Sequence, residues 1–165
     1  MEKVRITEYA SPLGTLRLAG TEEGLLSLDL PRDRFPNRWQ GESPGPLPCL
    51  DAAREWLDAY FKGERPDAGG IDLCPRGSDF RQRVWSLLRE IPYGETVTYG
   101  ELAKRIAPEK RMSAQAIGGA VGRNPIGILI PCHRVLGANG SLTGYAGGLE
   151  KKRFLLQLEG IPFRE

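Results

Sequence analysis

Apolar and polar residues alternate in three short stretches near the start of the chain. Val4 and Ile6 lie between charged or polar neighbours, and the segments 16–18 and 26–30 repeat the same period of two. Side chains on a β-strand point to opposite faces in turn, so this period predicts strands with one apolar face. The turn sequences SPLG and TEEG separate the three stretches. The pattern therefore predicts a small antiparallel sheet.

A helical period follows a loop at 41–48 that is rich in proline and glycine. Gly63 is placed to end this helix. The apolar residues at helical spacing are Leu50, Ala53, Leu57, Tyr60 and Phe61. The segment 65–77 then has the composition of a linker. We therefore predict an N-terminal α/β domain with its linker over residues 1–75.

The second half is patterned mainly for helices, and two of them are predicted to be close neighbours. Thr98 and Glu101 have the spacing of a capping box, and Pro108 ends the helix that they begin. Ser113 can cap the next helix, which stops before Asn124-Pro125. Two short helices joined by a short turn predict a helix-turn-helix.

Three more elements complete the second half. Asp79 is a candidate cap for a helix that precedes the helix-turn-helix. The apolar run 126–130 reads as a strand, and a glycine-rich loop extends from Gly137 to Gly148. A last helix ends at Gly160. Its predicted apolar face consists of Leu149, Phe154, Leu155 and Leu158.

Charge is distributed unevenly between the two halves. Residues 1–75 contain 9 Lys/Arg and 13 Asp/Glu, whereas residues 76–165 contain 14 and 8. A basic second half suggests a polyanion partner, although on charge alone a solvated basic face is the slightly better explanation. The longest apolar run is too short to span a bilayer, and the 3 cysteines are scattered. We expect a cytoplasmic protein without a disulfide framework, although Cys49 and Cys74 could pair.

The only histidine of the chain, His133, follows Cys132 directly in the sequence PCHRV. A cysteine after an apolar run is usually an inert core thiol. Here Pro131 fixes the backbone, and His133 and Arg134 favour the nucleophilic thiolate. Neighbouring side chains of an extended segment point to opposite faces. Either the chain bends at this point, or a small molecule such as water bridges the thiol and the imidazole.

The helix that begins after Ser113 has small residues in most positions. Gly118 and Gly119 lie in its middle, where each costs roughly 1 kcal/mol relative to alanine. Close packing against another helix would explain such a sequence. A helix thin enough to lie against the minor groove of DNA, which is about 6 Å wide, would explain it as well.

Together these segments resemble the O⁶-alkylguanine-DNA alkyltransferase family. The resemblance covers the whole second half and is carried by IPCHRV, GRNPIGILI, YGETVTYGELA and GYAGGLEKKRFLLQLEG. It implies a ribonuclease H-like layout for the N-terminal α/β domain and a winged-helix-like, mainly α domain over residues 76–165. That second domain would bind DNA and transfer the alkyl group.

The resemblance also implies roles for individual residues of the active site. Cys132 would accept the alkyl group, with His133 as its base through a water, Glu159 orienting His133, and Arg134 structural. Asn124 would tie the helix-turn-helix to the active-site segment. The residues expected to contact the guanine are Tyr99, Val135, Tyr145 and Ala146, together with the carbonyl of Cys132.

The implied reaction consumes the protein and needs no cofactor and no metal. Its partner would be double-stranded DNA carrying O⁶-alkylguanine, bound by a monomer through the minor groove, with the base flipped out. The residues expected to contact DNA are Tyr99, Ser113, Ala114, Gln115, Gly118, Gly119 and Arg123. Gln115 stands where the family commonly has an arginine that fills the gap left by the flipped base. Arg111 or Arg123 is the alternative source of that positive charge.

Two other classes of function fit parts of the pattern. A helix-turn-helix regulator with a structural or redox-sensing cysteine would bind DNA without a covalent product. A thiol hydrolase would turn over and needs a direct Cys–His contact, which their adjacency in sequence makes awkward.

Overall fold

A computed structural model describes residues 3–109 and 113–165 of the chain. Its contacts divide the chain into two compact units. The first comprises Met1–Arg76 with Pro125–Gly127, and the second comprises Gly77–Asn124 with Ile128–Glu165. None of the described helices is long and apolar enough to cross a membrane.

The first unit is built on a four-stranded sheet. Its strands are β1 (Arg5–Ser11), β2 (Gly14–Thr21), β3 (Gly24–Asp29) and β4 (Ser43–Pro44). They lie in the order β3-β2-β1-β4. The first three pair antiparallel through the two predicted turns, which confirms the predicted sheet. The short β4 adds parallel to β1, and a pair of two residues is too short to be read from periodicity.

The strand β3 is buried on both faces, although its sequence alternates between apolar and polar residues. The polar positions are satisfied inside the unit. Ser27 accepts a hydrogen bond from the Trp39 indole (3.1 Å), and Asp29 accepts from the backbone and side-chain amides of Asn37 (2.9 and 2.8 Å). The loop after β3 therefore covers the face that the alternation predicted to be exposed.

One helix, α1 (Pro48–Phe61), packs on this sheet. Gly63 follows it in the left-handed region, at φ +85°, which suits a residue without a Cβ. The predicted linker has more structure than its composition suggests. Leu25 of β3 donates to Asp72 (2.8 Å) and accepts from Cys74 (2.7 Å), so this segment covers the open edge of the sheet.

The second unit is mainly α, as predicted. Its helices are α2 (Asp79–Leu88), α3 (Tyr99–Ile106), α4 (Ala114–Gly122) and α5 (Leu149–Leu158). The short strands β5 (Val97–Thr98) and β6 (Val135–Leu136) pair parallel. The helices α3 and α4 pack on each other and on α2, which is the predicted helix-turn-helix.

A side chain caps the start of three of the five described α-helices. The Thr98–Glu101 capping box is present with both bonds at 3.1 Å, and Ser113 accepts from the Ala116 amide (3.3 Å). The prediction that Asp79 caps α2 is wrong. Ser78 is the cap and accepts from the Arg81 amide (3.3 Å), while Asp79 occupies the first helical position, where a negative charge favours the helix dipole.

The buried face of α5 also differs from the prediction. Leu149 is 43% exposed, whereas Lys152 and Leu156 are fully buried. The buried face of α5 therefore carries a cation that apolar periodicity alone does not reveal.

Candidate active site

The run 126–130 is not the strand that its sequence predicts. It forms turns, and Ile128 adopts the left-handed region at φ +68°. That conformation is a genuine outlier for a β-branched residue and costs of order 1–3 kcal/mol. Ile126, Ile128 and Ile130 are nonetheless buried. Their packing offsets the strain and directs the chain into the segment that follows.

The segment that follows is a single 3-10 turn, Cys132–Arg134. The chain therefore bends at this point, and no direct hydrogen bond joins His133 Nδ1 to a described residue. Cys132 is 8% exposed, and His133 is fully buried. The Cys132 side chain thus lies at the edge of solvent, whereas the imidazole of the next residue is enclosed.

Glu159, the residue directly after α5, joins His133 to Arg134. The His133 Nε2 lies 2.6 Å from Glu159 Oε2, and Arg134 donates to both carboxylate oxygens (2.8 and 3.2 Å). The Gly94 amide also donates to Glu159 Oε1 (3.0 Å). Arg134 donates further to the carbonyl of Ile91 (2.7 Å). The carboxylate is therefore held in one position by four hydrogen-bonded contacts.

Burial lowers the pKa of His133, and the hydrogen bond and charge of Glu159 oppose that effect. The lowered pKa favours the neutral imidazole, with its Nε2–H donated to the carboxylate. Nδ1 is then the acceptor. This atom is buried and has no hydrogen-bond partner among residues 3–109 and 113–165. The geometry thus provides a neutral base with one free lone pair.

Tyr99 begins α3, and its side chain is half-buried. Burial raises the pKa of the Tyr99 phenol, the Thr143 hydroxyl lowers it, and the charge of Cys132 raises it. The phenol therefore stays protonated at neutral pH and is available as a hydrogen-bond donor.

Both carbonyls expected to contact guanine already accept a hydrogen bond. The Cys132 carbonyl accepts from the Val135 amide, and the Val135 carbonyl accepts from Lys152 Nζ (2.6 Å). Tyr145 and Ala146 are half-buried in the glycine-rich loop.

Asn124 connects the end of the helix-turn-helix to the active-site segment. Its side-chain amide donates to the carbonyl of Ile130 (2.7 Å), two residues before Cys132.

The glycines of α4 face open space. A Cβ built on Gly118 or Gly119 would meet no atom of residues 3–109 and 113–165 within 4 Å. Close packing against another helix therefore does not explain these two residues. The candidate DNA-contact residues Ser113, Ala114, Gln115 and Arg123 are exposed, whereas Arg111 lies outside the described residues.

The remaining cysteines lie in the first unit. Cys49 and Cys74 form no disulfide with each other, and both are half-buried. Burial raises the pKa of Cys49, which disfavours its thiolate. Among the described residues, no group of three or more His, Cys, Asp or Glu is arranged to hold a metal ion.

Two protein-family models match the chain, and together they cover most of its residues. The one described as 6-O-methylguanine DNA methyltransferase, DNA binding domain, matches residues 79–161. The one described as 6-O-methylguanine DNA methyltransferase, ribonuclease-like domain, matches residues 4–73. The chain belongs to the 6-O-methylguanine DNA methyltransferase family.

Similar proteins agree with this assignment over nearly the full length. Methylated-DNA–protein-cysteine methyltransferase of Haemophilus influenzae is 46% identical over 99% of this chain and 90% of its own. The protein of the same name from Methanosarcina acetivorans is 47% identical over 92% of this chain and 96% of its own. A crystal structure of Mycobacterium tuberculosis OGT in complex with DNA superposes with a TM-score of 0.82 at 44% identity, covering 95% of this chain and 92% of that one.

Sequence reasoning missed two features of this methyltransferase-family site. One is the Arg134–Glu159 ion pair, and the other is Lys152. A helical period was the available signal, because Lys152, Leu155 and Glu159 recur on one face of the last helix. Charged residues on a predicted buried face are candidates for a buried network.

Proposed function

We propose that this protein repairs DNA directly, by transferring the alkyl group of O⁶-alkylguanine to the sulfur of its own Cys132. The observation that carries the proposal is the state of His133. Glu159 holds its Nε2, and Nδ1 is buried without a partner among the described residues. Buried polar atoms are normally satisfied by protein or ordered water. A water between Nδ1 and the Cys132 sulfur would satisfy this one and complete a proton relay.

In this reaction the Cys132 thiol loses its proton through the water to Nδ1. The thiolate attacks the alkyl carbon in line with the departing oxygen. A sulfur–carbon bond forms, the bond from carbon to O⁶ breaks, and its electrons pass to the guanine, which takes up a proton. Tyr99 and the half-buried Tyr145–Ala146 segment would stabilise the leaving guanine. No residue of the site reverses a thioether, so each molecule would act once.

The partner would be double-stranded DNA with the damaged base flipped out. The target atom lies inside the duplex, so the nucleotide has to leave the stack before the sulfur can reach it. The exposed, small-residue face of α4 supports an approach to the minor groove, with Tyr99, Ser113, Ala114, Gln115, Gly118, Gly119 and Arg123 as contacts. We propose that residues 76–165 perform binding and transfer, that 1–75 form the accessory α/β domain, and that the protein works as a cytoplasmic monomer.

Mass spectrometry of the intact chain tests the proposal. Incubation with duplex DNA that contains O⁶-methylguanine should add one methyl group per chain, and peptide mapping should place it on Cys132. Cys132→Ala should bind the same DNA and gain no mass, whereas Cys74→Ala should be methylated like the unmodified protein. DNA binding without a mass change would favour the regulator, and turnover without a covalent adduct would favour the thiol hydrolase.

A further inference from the structure

Lys152 is a fully buried lysine in the second turn of α5. Its ammonium group donates to three backbone carbonyls, those of Val135 (2.6 Å), Thr143 (3.2 Å) and Gly144 (3.5 Å). The first belongs to β6 and the other two to the glycine-rich loop. One side chain therefore joins the segment after the reactive cysteine to the loop that precedes Tyr145.

Lys152 differs from the other charged groups around the site in having no anionic partner. Glu159 is committed to His133 and Arg134. Across the described part of the chain, no carboxylate lies within 4.0 Å of the Lys152 nitrogen. The remaining titratable groups near the thiol are Tyr99 and His133, and burial favours the neutral form of both. Before reaction, the buried site thus holds one uncompensated positive charge.

A buried cation without a counter-ion is costly. Burial lowers the pKa of Lys152 to about 8, and the charge of Cys132 acts in the opposite direction. The charge of Lys152 likewise lowers the pKa of His133. The geometry agrees with this direction, because Lys152 Nζ bonds to the carbonyl of Val135, the residue directly after the Cys132–Arg134 turn. The group that would neutralise the ammonium is a thiolate on Cys132.

We propose that Lys152 is the counter-charge of the Cys132 thiolate and a clamp that fixes the glycine-rich loop against β6. It is a positioning residue, since it acts through the sulfur and the loop and has no bond to the guanine. The inference rests on the proposed alkyl transfer, which it deepens. In this arrangement the thiolate forms in the field of a buried ammonium, while the proton that leaves the thiol is held on His133 beside the Glu159 carboxylate.

The experiment measures the Cys132 thiolate without using DNA. The rate at which iodoacetamide labels Cys132, followed by peptide mapping from pH 5 to pH 10, reports the fraction of thiolate. The variants are Lys152→Met, which removes the charge at similar length, Lys152→Gln, which keeps a donor without charge, and Lys152→Arg, which keeps the charge. Arg153→Met is the matched control, because Arg153 is the next residue of α5 and pairs with Glu165 at the surface.

An opposite charge near an acid shifts its pKa by about 1–3 units. We therefore expect Lys152→Met and Lys152→Gln to move the labelling midpoint upward by about one pH unit or more. At neutral pH this lowers the labelling rate by roughly tenfold. Lys152→Arg and Arg153→Met should keep the original midpoint. Methyl transfer by Lys152→Gln should be slow at pH 7 and should recover in part when the pH is raised, because a higher pH restores the thiolate. A purely structural defect would leave the transfer rate slow at both pH values.

Superimposable labelling profiles for the unmodified protein and folded Lys152→Gln would overturn the proposal that Lys152 is the counter-charge of the thiolate. If Lys152→Met does not fold, the comparison of Lys152→Gln with Lys152→Arg decides, because both keep donors and only one keeps the charge. Failure of the proposed function gives a different result. In that case the unmodified protein gains no mass from alkylated DNA, while its labelling midpoint still differs from those of Lys152→Met and Lys152→Gln.

Discussion

Glu159 holds His133 through a 2.6 Å contact between Oε2 and Nε2, and the side chains of both residues are fully buried. The two residues are 26 positions apart in the chain. This contact occupies Nε2 and leaves Nδ1 as the ring nitrogen for a second partner, while Arg134 holds the carboxylate in position. In the proposed relay, Arg134 would therefore be a third member that is not itself a base.

Glu159→Gln is expected to impair both transfer and stability. The neutral amide no longer stabilises a protonated His133, so methyl transfer slows and the labelling midpoint of Cys132 rises. The substitution also leaves the Arg134 charge buried without its partner, which costs about 3–5 kcal/mol. Urea unfolding and iodoacetamide labelling of the folded protein measure the two effects separately. Glu150→Gln, an exposed residue of the same helix, serves as the control, and an unchanged labelling profile in Glu159→Gln would remove Glu159 from the relay.

Replacing Gly118 and Gly119 of α4 by alanine is expected to stabilise the fold and to weaken DNA binding. A methyl group at Gly118 or Gly119 meets open space, so each substitution should raise the free energy of unfolding by up to about 1 kcal/mol. If this face lies in the minor groove, the same methyl groups should weaken binding to duplex DNA. Gly70→Ala adds a methyl group in open space of the first unit and should leave DNA affinity unchanged. Undiminished affinity in the Gly118→Ala, Gly119→Ala double variant would contradict this orientation of α4.

Gln115 is expected to fill the space left by the flipped base, with less effect than a charged residue. Flipping costs a few kcal/mol, and hydrogen bonds from a charged donor are roughly twice as strong as neutral ones. Gln115→Arg should therefore speed repair of duplex DNA and have little effect on free O⁶-benzylguanine, which needs no flipping. The measurement is the ratio of the two rates for Gln115→Arg, Gln115→Ala and Arg123→Ala. A ratio that changes only in Arg123→Ala would assign this role to Arg123.

The stability of the protein is expected to increase with pH through the titration of Lys152. Its pKa is about 8 in the folded protein and 10.5 for an ordinary lysine. Between these values the unfolded chain holds a proton that the folded chain has lost, so the free energy of unfolding rises with pH. Below pH 8 the cost of burying the cation is present in full, on the order of 3 kcal/mol. Urea unfolding at pH 7 and pH 10 should show this gain relative to Lys152→Met, and an equal difference at both pH values would contradict it.

Several elements could be predicted from residues close together in the chain. The hairpins of the first sheet follow from alternation and turn sequences, and the starts of α3 and α4 follow from Thr98 and Ser113. The misplaced cap of α2 shows how narrow such a prediction is, because Ser78 and Asp79 are both good caps and only one can adopt the extended backbone that a cap requires. The order of residues in PCHRV also marks the reactive cysteine without any structure.

Tertiary packing decided the features that depend on distant residues. The apolar run 126–130 has strand propensity, but Ile128 takes a left-handed conformation because the surrounding core fixes the path of the chain. Three further features have the same origin. They are the bend at Cys132, the contact between Glu159 and His133, and the burial of Lys152. Local patterns report backbone propensity and which face of an element is apolar, whereas the position of a buried charge depends on which distant groups enclose it. The sequence by itself determined the family motif and the nucleophile, and the fold determined the electrostatic surroundings in which that nucleophile is placed.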